Sequence, residues 1–365
     1  MQLNINLKNN NNRSYKILFT SNILDEIMDF IVKTGRIKKV LFLTENTVWK
    51  FHGKDLFENF ENKSDLKFYK YVFKAGEKNK NINTVLDTVN YLNMINFNRN
   101  DLIICFGGGV VGDLGGFLSS IYKRGVKFIQ IPTTLLSVLD SSVGGKTGID
   151  YSGIKNVIGT FNQPKIVLVN RQYLKTLPEI QLTSGYFEGL KHSLLDNKKH
   201  FEIWSSIFDE IITNKKVSDE ILANNISIKA NVVMRDEEEK GDRKKLNYGH
   251  TFGHAVESLS DYKLPHGICV GYGIIFANLL SYKLGYFDKT LLDYINSFVL
   301  EIVRKYKISN FKFSNIYKKM LNDKKNDSSK INFVLFKDIG NLEFIDINKK
   351  DLEETYKLFS DFLKN

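Results

Sequence analysis

Leu102-Ile103-Ile104-Cys105-Phe106 runs directly into Gly107-Gly108-Gly109-Val110-Val111-Gly112-Asp113. A short, unbroken apolar run bounded by turn residues reads as a strand covered on both faces. The glycines read as a tight turn, with a helix expected from near Leu114. Glycine lets backbone approach a phosphate closely, and the free N–H groups at a helix start favour its charge. Residues 107–112 satisfy G-x-G-x-x-G literally. The dinucleotide fingerprint is still incomplete. This strand is not the first of its sheet, and no acidic residue follows about 20 positions later to hold a ribose. A pyrophosphate site is the functional reading, and a merely tight strand–helix turn is its alternative.

Outward from this stretch, similar short apolar runs occur at Val40–Leu43, Phe68–Phe73, Phe128–Ile131 and Ile166–Val169. Between them, Ile23–Val32 and Ile82–Met94 repeat apolar residues at helical spacing. That is a βαβ series, hence α/β with a mostly parallel sheet. Asn4–Leu7 and Tyr15–Phe19 flank an Asn-rich turn and predict an edge hairpin. From about Ser184 the pattern turns helical, through Ile203–Ile212, Ser218–Met234, Thr251–Ser260, Cys269–Leu284, Leu291–Tyr306 and Leu352–Leu363. Ile331–Phe336 and Leu342–Ile345 predict one small hairpin. The expected plan is an α/β domain over residues 1–180 and an all-α domain over 181–365, with the site between them.

Composition bounds the function classes. At 365 residues, 42% hydrophobic and 25% charged, the chain suits a globular two-domain protein and excludes coiled-coil, collagen-like and wholly disordered readings. Cys105 and Cys269, the two cysteines, can form neither a disulfide framework nor a Cys-based zinc finger. A net charge of +11 admits a nucleic-acid partner. The lysines are scattered, however, and accompany heavy use of Asn, Ile, Phe and Tyr, as an A/T-rich coding sequence would produce. No nucleic-acid partner is expected. The N-terminus lacks the basic and apolar regions of a signal peptide. No stretch reaches the length of a membrane span. A soluble cytoplasmic protein is expected.

Two further constellations carry chemistry. Asp140-Ser141-Ser142-Val143-Gly144-Gly145-Lys146-Thr147-Gly148, with Lys155-Asn156 beyond, is a glycine-rich loop with lysines, suited to an anion. It is not a P-loop, because Asp140 stands where the first glycine must be. Asn247-Tyr248-Gly249-His250-Thr251-Phe252-Gly253-His254, with His266, gathers three of the six histidines. His250 and His254 share a helix face, but Thr251 rules out the H-E-x-x-H arrangement. Catalytic zinc takes three protein ligands and keeps an open position. His250 and His266 can supply two, and Glu188 in Ser184-Gly185-Tyr186-Phe187-Glu188-Gly189-Leu190-Lys191 is a candidate third.

Together these segments resemble the 3-dehydroquinate synthases, a family of sugar phosphate cyclases. The likeness rests on GGGVVGDLGGF, RGVKFIQIPTTLLSVLDSSVGGKTGID, LKTLP, SGYFEGLK and LNYGHTFGHAVE with His266, in that order. It implies a Rossmann-like N-terminal domain, a helical C-terminal domain and a homodimer. It also implies conversion of 3-deoxy-D-arabino-heptulosonate 7-phosphate to 3-dehydroquinate and phosphate in the shikimate pathway. NAD acts catalytically, with a divalent metal that is zinc or alternatively cobalt.

By position, the resemblance assigns NAD to Gly109, Val110, Val111, Gly112, Asp113, Thr133, Thr134, Lys146, Lys155, Tyr173, Leu174, Lys175 and Thr176. Gly76, Glu77 and Lys80 would line the adenosine end, with Glu45 near the ribose. Glu188, His250 and His266 would hold the metal. Asp140, Lys146, Asn156, Lys191, Lys229, Arg243, Asn247 and His254 would meet the substrate. Lys229 and Arg243 suit its carboxylate; Lys146, Asn247 and His254 suit its phosphate. Arg124 would reach the neighbouring subunit's site, and Lys324 or Lys325 would close over the phosphate.

Three positions depart from the family pattern: Ile154 stands where glycine is common, Ala75 where an acidic residue is, and Glu45 where Asp is. The rival readings are a 2-deoxy-scyllo-inosose synthase acting on glucose 6-phosphate, which has no carboxylate for Lys229 and Arg243, and a glycerol-dehydrogenase-type alcohol dehydrogenase. The latter would release reduced cofactor and needs no phosphate clamp.

Overall fold

Residues 1–7, 13–61, 66–323 and 330–364 are described by the computed structural model. Among them, nine strands lie in the first half: β1 (Gln2–Ile5), β2 (Tyr15–Phe19), β3 (Lys39–Glu45), β4 (Lys67–Phe73), β5 (Leu102–Gly107), β6 (Lys127–Pro132), β7 (Lys146–Tyr151), β8 (Ile154–Phe161) and β9 (Ile166–Val169). Seven of these form one sheet in the order β1-β2-β9-β6-β5-β3-β4. β1 pairs antiparallel with β2 at one edge, and every other neighbour is parallel. The Asn-rich turn expected after β1 falls outside the described residues.

The deciding strand sits near the middle. β5 is buried along its whole length, between β3 and β6. Ile104 and Phe106 pack with Phe42, Ile129 and Leu168 on one face. Ile103 and Cys105 pack with Leu41, Leu43, Val85 and Leu114 on the other. Two apolar faces explain why the run shows no polar alternation.

Five helices accompany these strands: α1 (Ile23–Thr34), α2 (Asn46–Val48), α3 (Lys54–Glu61), α4 (Ile82–Met94) and α5 (Gly109–Ile121). α5 starts inside the glycine cluster, five residues before the expected Leu114. Further along α5, a Cβ on Gly115 would lie 2.3 Å from Cys105 Sγ, and one on Gly116 2.3 Å from Thr147 Cγ2, so these two glycines serve close helix–strand packing.

The Asp140–Gly148 stretch also differs from the expected loop. Ser137–Ser141 is a π-helical turn, and Lys146 opens β7, which pairs antiparallel with β8. Gly144 and Gly145, at φ +100° and +66°, make the turn between them. Gly148 and Gly159 face each other so closely that a Cβ on Gly159 would stand 2.4 Å from the Thr147 carbonyl. The glycines therefore belong to a tight hairpin as well as to a turn.

The remaining helices are α6 (Glu179–Asp196), α7 (Lys198–Ser206), α8 (Phe208–Ile212), α9 (Asp219–Arg235), α10 (His250–Leu259), α11 (His266–Lys283), α12 (Lys289–Val303), α13 (Phe313–Asp323) and α14 (Lys349–Phe362). The expected hairpin is β10 (Lys330–Asp338) and β11 (Asn341–Asn348), so the second half is helical but not purely so. α11 is buried on nearly every side, as an all-round apolar helix must be, and packs against α6, α10, α12, α14 and β10.

The chain forms two compact units. One contains Met1–Pro178 together with Lys215–Glu238; the other contains Glu179–Asn214 and Glu239–Asn365. α9, assigned to the helical half by its periodicity, thus belongs to the unit with the sheet. Its tie is the Lys229 side chain, which reaches the Ser137–Ser141 turn. No helix among the described residues is long and apolar enough to cross a membrane.

Candidate active site

The helical unit brings three donor side chains to one point. Glu188, fully buried on α6, presents Oε1 to His250 Nε2 at 3.5 Å and to His266 Nε2 at 3.4 Å. His250 and His266 are the first residues of α10 and α11. Ligand atoms at about 2.1 Å from a tetrahedral ion lie about 3.4 Å apart, so this donor set has the spacing and chemistry of a zinc-type site. His254, on the same face of α10 as His250, also lies in this group: the three histidines each offer a nitrogen within 4.8 Å of the others.

The supporting contacts orient the donors. His250 Nδ1 lies 3.0 Å from the Tyr248 carbonyl, which can only accept. Nδ1 therefore carries the proton and Nε2 the lone pair. His266 Nδ1 lies 3.2 Å from Glu257 Oε2, so Nδ1 of that ring also carries a proton. Lys191 Nζ bonds Glu188 Oε2 at 2.5 Å, which leaves Oε1 towards the histidines. Burial, with Lys191 close by, holds His250 well below the ordinary histidine pKa. Burial also opposes the His266 cation, but Glu257 and Glu188 outweigh it and raise its pKa to about 10.

Backbone contacts set the distances between the helices. A Cβ on Gly267 would fall 1.8 Å from the Ser184 carbonyl, so α11 meets α6 backbone to backbone beside His266. A Cβ on Gly273 would fall 1.8 Å from the Gly249 carbonyl, so α10 meets α11 in the same way beside His250. Only glycine permits either approach.

Other expected substrate residues of this unit are Arg243, buried in the turn before α10, and Asn247, whose Nδ2 donates to Glu239 Oε1 at 2.8 Å. Lys324 and Lys325 lie outside the described residues.

The sheet-bearing unit holds the nucleotide candidates. α5 has no side-chain cap, and the N–H groups of Gly109, Val110 and Val111 precede its first helical bond, from Gly112 N–H to the Gly108 carbonyl at 3.1 Å. A Cβ on Gly108 would stand 3.0 Å from Thr134 Cγ2, and one on Gly109 3.2 Å from Ser141 Oγ, so any side chain would fill this cradle. Thr133 Oγ1 is buried with no hydrogen-bond partner. A phosphate-bearing ligand fits these groups: it would meet the helix N–H groups and the hydroxyl alike.

Lys80, expected to line the adenosine end, is buried. It is 4% exposed, with Nζ 2.7 Å from Asp113 Oδ2 and 2.5 Å from Asn156 Oδ1. Burial opposes its charge, but Asp113 and Glu77 outweigh it and keep its pKa above the usual lysine range. Lys80 thereby ties α5 to the β7–β8 hairpin, whose Asn156 has φ +52°. Lys155 Nζ reaches Glu77 Oε1 at 3.4 Å, and Lys146 is exposed.

Asp140 and Lys229 come together, with Lys229 Nζ 2.7 Å from Asp140 Oδ1. Glu45 accepts from the N–H groups of Thr47 and Val48 at 2.7 and 2.9 Å, so its carboxylate caps α2. Gly76 has φ +105°. Tyr173 and Leu174 are buried, whereas Lys175 and Thr176 are exposed. Burial pushes Tyr173 up to about 12. Arg124 is exposed in a strained turn, with φ +62° following +47° at Lys123.

Comparison with known proteins decides the family. Sequence models of the 3-dehydroquinate synthase N-terminal and C-terminal regions match residues 70–184 and 185–326. A 3-dehydroquinate synthase of Acetivibrio thermocellus is 37% identical over 354 residues, 96% of this chain and 97% of that protein. The chain belongs to the 3-dehydroquinate synthase family. It is accordingly an enzyme of the phosphate-eliminating cyclase kind. A second 3-dehydroquinate synthase, from Clostridium acetobutylicum, is 38% identical over 94% of this chain and 96% of its own. The fold is shared by a 2-deoxy-scyllo-inosose synthase solved with carbaglucose-6-phosphate, NAD+ and Co2+, at a TM-score of 0.83 and 20% identity, covering 97% and 98% of the two chains.

Within this 3-dehydroquinate synthase fold, sequence reasoning missed three side chains. Glu257 closes the LNYGHTFGHAVE motif, but nothing in its spacing says that it faces His266. Tyr248 sits between two expected residues without a role. His52 is 124 residues from Thr176, yet its Nε2 lies 2.8 Å from Thr176 Oγ1 and its ring 4.9 Å from that of Tyr173. A contact so distant in sequence leaves no periodic signal.

Proposed function

We propose that this chain converts 3-deoxy-D-arabino-heptulosonate 7-phosphate to 3-dehydroquinate and phosphate with catalytic NAD and one divalent ion, zinc in preference to cobalt. The observation that carries the metal assignment is the convergence of His250 and His266 Nε2 on Glu188 Oε1. When bound, NAD accepts a hydride and returns it, and the ion polarises the hydroxyl concerned. Gly109 to Asp113, Thr133, Thr134, Lys146, Lys155 and Tyr173 to Thr176 would hold NAD, with Gly76, Glu77 and Lys80 beside them. Glu188, His250 and His266 would hold the ion.

The chain's own groups then bind and orient. Glu257 and the Tyr248 carbonyl keep a proton on Nδ1 of each histidine ring and so direct Nε2 to the ion site. Lys191 binds Glu188 at Oε2 and leaves Oε1 towards the histidines. Asn247, His254 and Lys146 would take the substrate phosphate. Arg243 and Lys229 would take its carboxylate by charge-assisted hydrogen bonds, with Asp140 and Asn156 completing the polar contacts. A substrate fixed at both charged ends would have its own phosphate held beside the proton lost in elimination, so that a phosphate oxygen can take the proton and no dedicated protein base is needed. Arg124, on its exposed turn, would act across a homodimer.

Phosphate release from 3-deoxy-D-arabino-heptulosonate 7-phosphate is the test, with trace NAD and zinc, before and after chelation. Release that stops with chelator and leaves no net reduced NAD supports the reading. Steady accumulation of reduced NAD without phosphate would refute it.

A further inference from the structure

We infer that Tyr248, Asn278 and Asn296 form a buried positioning chain that fixes the orientation of His250. All three are completely buried. The Tyr248 hydroxyl bonds Asn278 Oδ1. Asn278 Nδ2 donates to Asn296 Oδ1 at 2.8 Å, and Asn296 Nδ2 to the Ile275 carbonyl at 3.4 Å. The last acceptor is a backbone carbonyl, so the direction of every bond is determined. Asn296 must donate to Ile275, Asn278 to Asn296, and Tyr248 to Asn278.

These bonds matter because Tyr248 and Gly249 lead straight into His250. The Tyr248 ring packs on Phe336 at 4.3 Å, and its hydroxyl is held by α11, so the residue has little freedom. Gly249 then turns the backbone at φ +76°, where a side chain would also meet Val270 O and Ile274 N at 3.2 Å. The Tyr248 carbonyl is thereby aimed at His250 Nδ1. Three apolar side chains could fill the same volume without burying three polar groups, each costly if left unmatched. What the polar version adds is a single permitted rotation of residue 248, and with it one direction for the His250 ring. Tyr248 is a positioning residue: it acts through His250 rather than on substrate. The inference rests on the reading of His250 as a metal ligand.

The test uses Tyr248→Phe, which removes one oxygen and keeps the ring, and Asn278→Leu. Zinc dissociation constants come from competition with a chromophoric chelator, ligand geometry from the visible bands of the cobalt-loaded protein, and folding from unfolding of the metal-free chain. Loss of a partner of this kind weakens metal binding about 10-fold, so Tyr248→Phe should raise the zinc dissociation constant by about that factor and alter the cobalt bands while remaining folded. Tyr248→Phe/Asn278→Leu should cost no more affinity than the weaker single variant, because one chain is broken once. His250→Ala separates the two readings. If it binds zinc as tightly as the parent, the ligand assignment fails. If it loses zinc while Tyr248→Phe keeps parental affinity and parental cobalt bands, the positioning chain is overturned and the ligand assignment stands. Should Asn278→Leu not fold, Tyr248→Phe alone decides.

Discussion

Gly267→Ala adds one methyl group between α11 and the Ser184 backbone of α6, and the structure gives the size of the clash. The new Cβ would lie 1.8 Å from the Ser184 carbonyl oxygen, 2.6 Å from its carbon and 2.9 Å from its Cα. Ordinary contact begins near 3.4 Å, so α11 must retreat from α6 by roughly 1.6 Å at this turn. No substitution at residue 184 can relieve the clash, because the atoms met are backbone. The same retreat stretches the 3.1 Å bond from Gly267 N–H to Ser184 Oγ and carries His266 away from Glu188. Overpacking typically costs 1–3 kcal/mol, and a rigid backbone partner places this case at about 3 kcal/mol. A donor displaced by more than 1 Å no longer suits a tetrahedral ion, so zinc affinity should fall about 100-fold. Chemical unfolding of the metal-free protein gives the first quantity and chelator competition the second. A folded Gly267→Ala protein that binds zinc within twofold of the parent would show that the α6–α11 contact does not set the donor spacing.

Other outcomes depend on separate contacts. Glu257→Gln removes the charge facing His266 Nδ1, and zinc affinity measured by chelator competition should fall 10- to 100-fold. Asp113→Asn leaves the Lys80 cation buried with a weaker partner; since Asp113 is partly exposed, about 2 kcal/mol of stability should be lost by urea titration. Burial holds His52 below its ordinary value of 6.5, with Asp55 working weakly the other way. The folded protein therefore prefers neutral His52, and stability should be full above pH 6.5 and decline as the pH falls below it. His52→Gln should make that acid-side decline in the urea midpoint shallower, and an unchanged slope would remove His52 from the account.

Much of the fold was legible because its signals are local. β5 and its neighbours carry continuous apolar runs, since both faces of a parallel sheet are covered. α4, α10 and α12 carry helical periodicity because each has one face in a core. The metal candidates were legible too, since histidine and buried carboxylate are rare enough that their clustering stands out. The sheet-bearing unit was less so at Gly109 and Lys146. Glycine serves turns, helix starts and close packing equally, and only its neighbours tell which.

The sequence by itself determined the βαβ series with its glycine-rich end of β5 and the mainly helical second half, and it pointed to Glu188, His250 and His266 as metal candidates. Tertiary structure decided that α9 joins the sheet-bearing unit, that Lys80 is a buried tie between Asp113 and Asn156, and that Glu257 and Tyr248 orient the two histidines. It also decided the 3.4–3.5 Å spacing of the donors, through glycine contacts at residues 249, 267 and 273. The physical reason is range. Propensity and periodicity act within a few residues, whereas hydrogen-bond direction, burial and close backbone approach depend on segments far apart in the chain that only folding brings together.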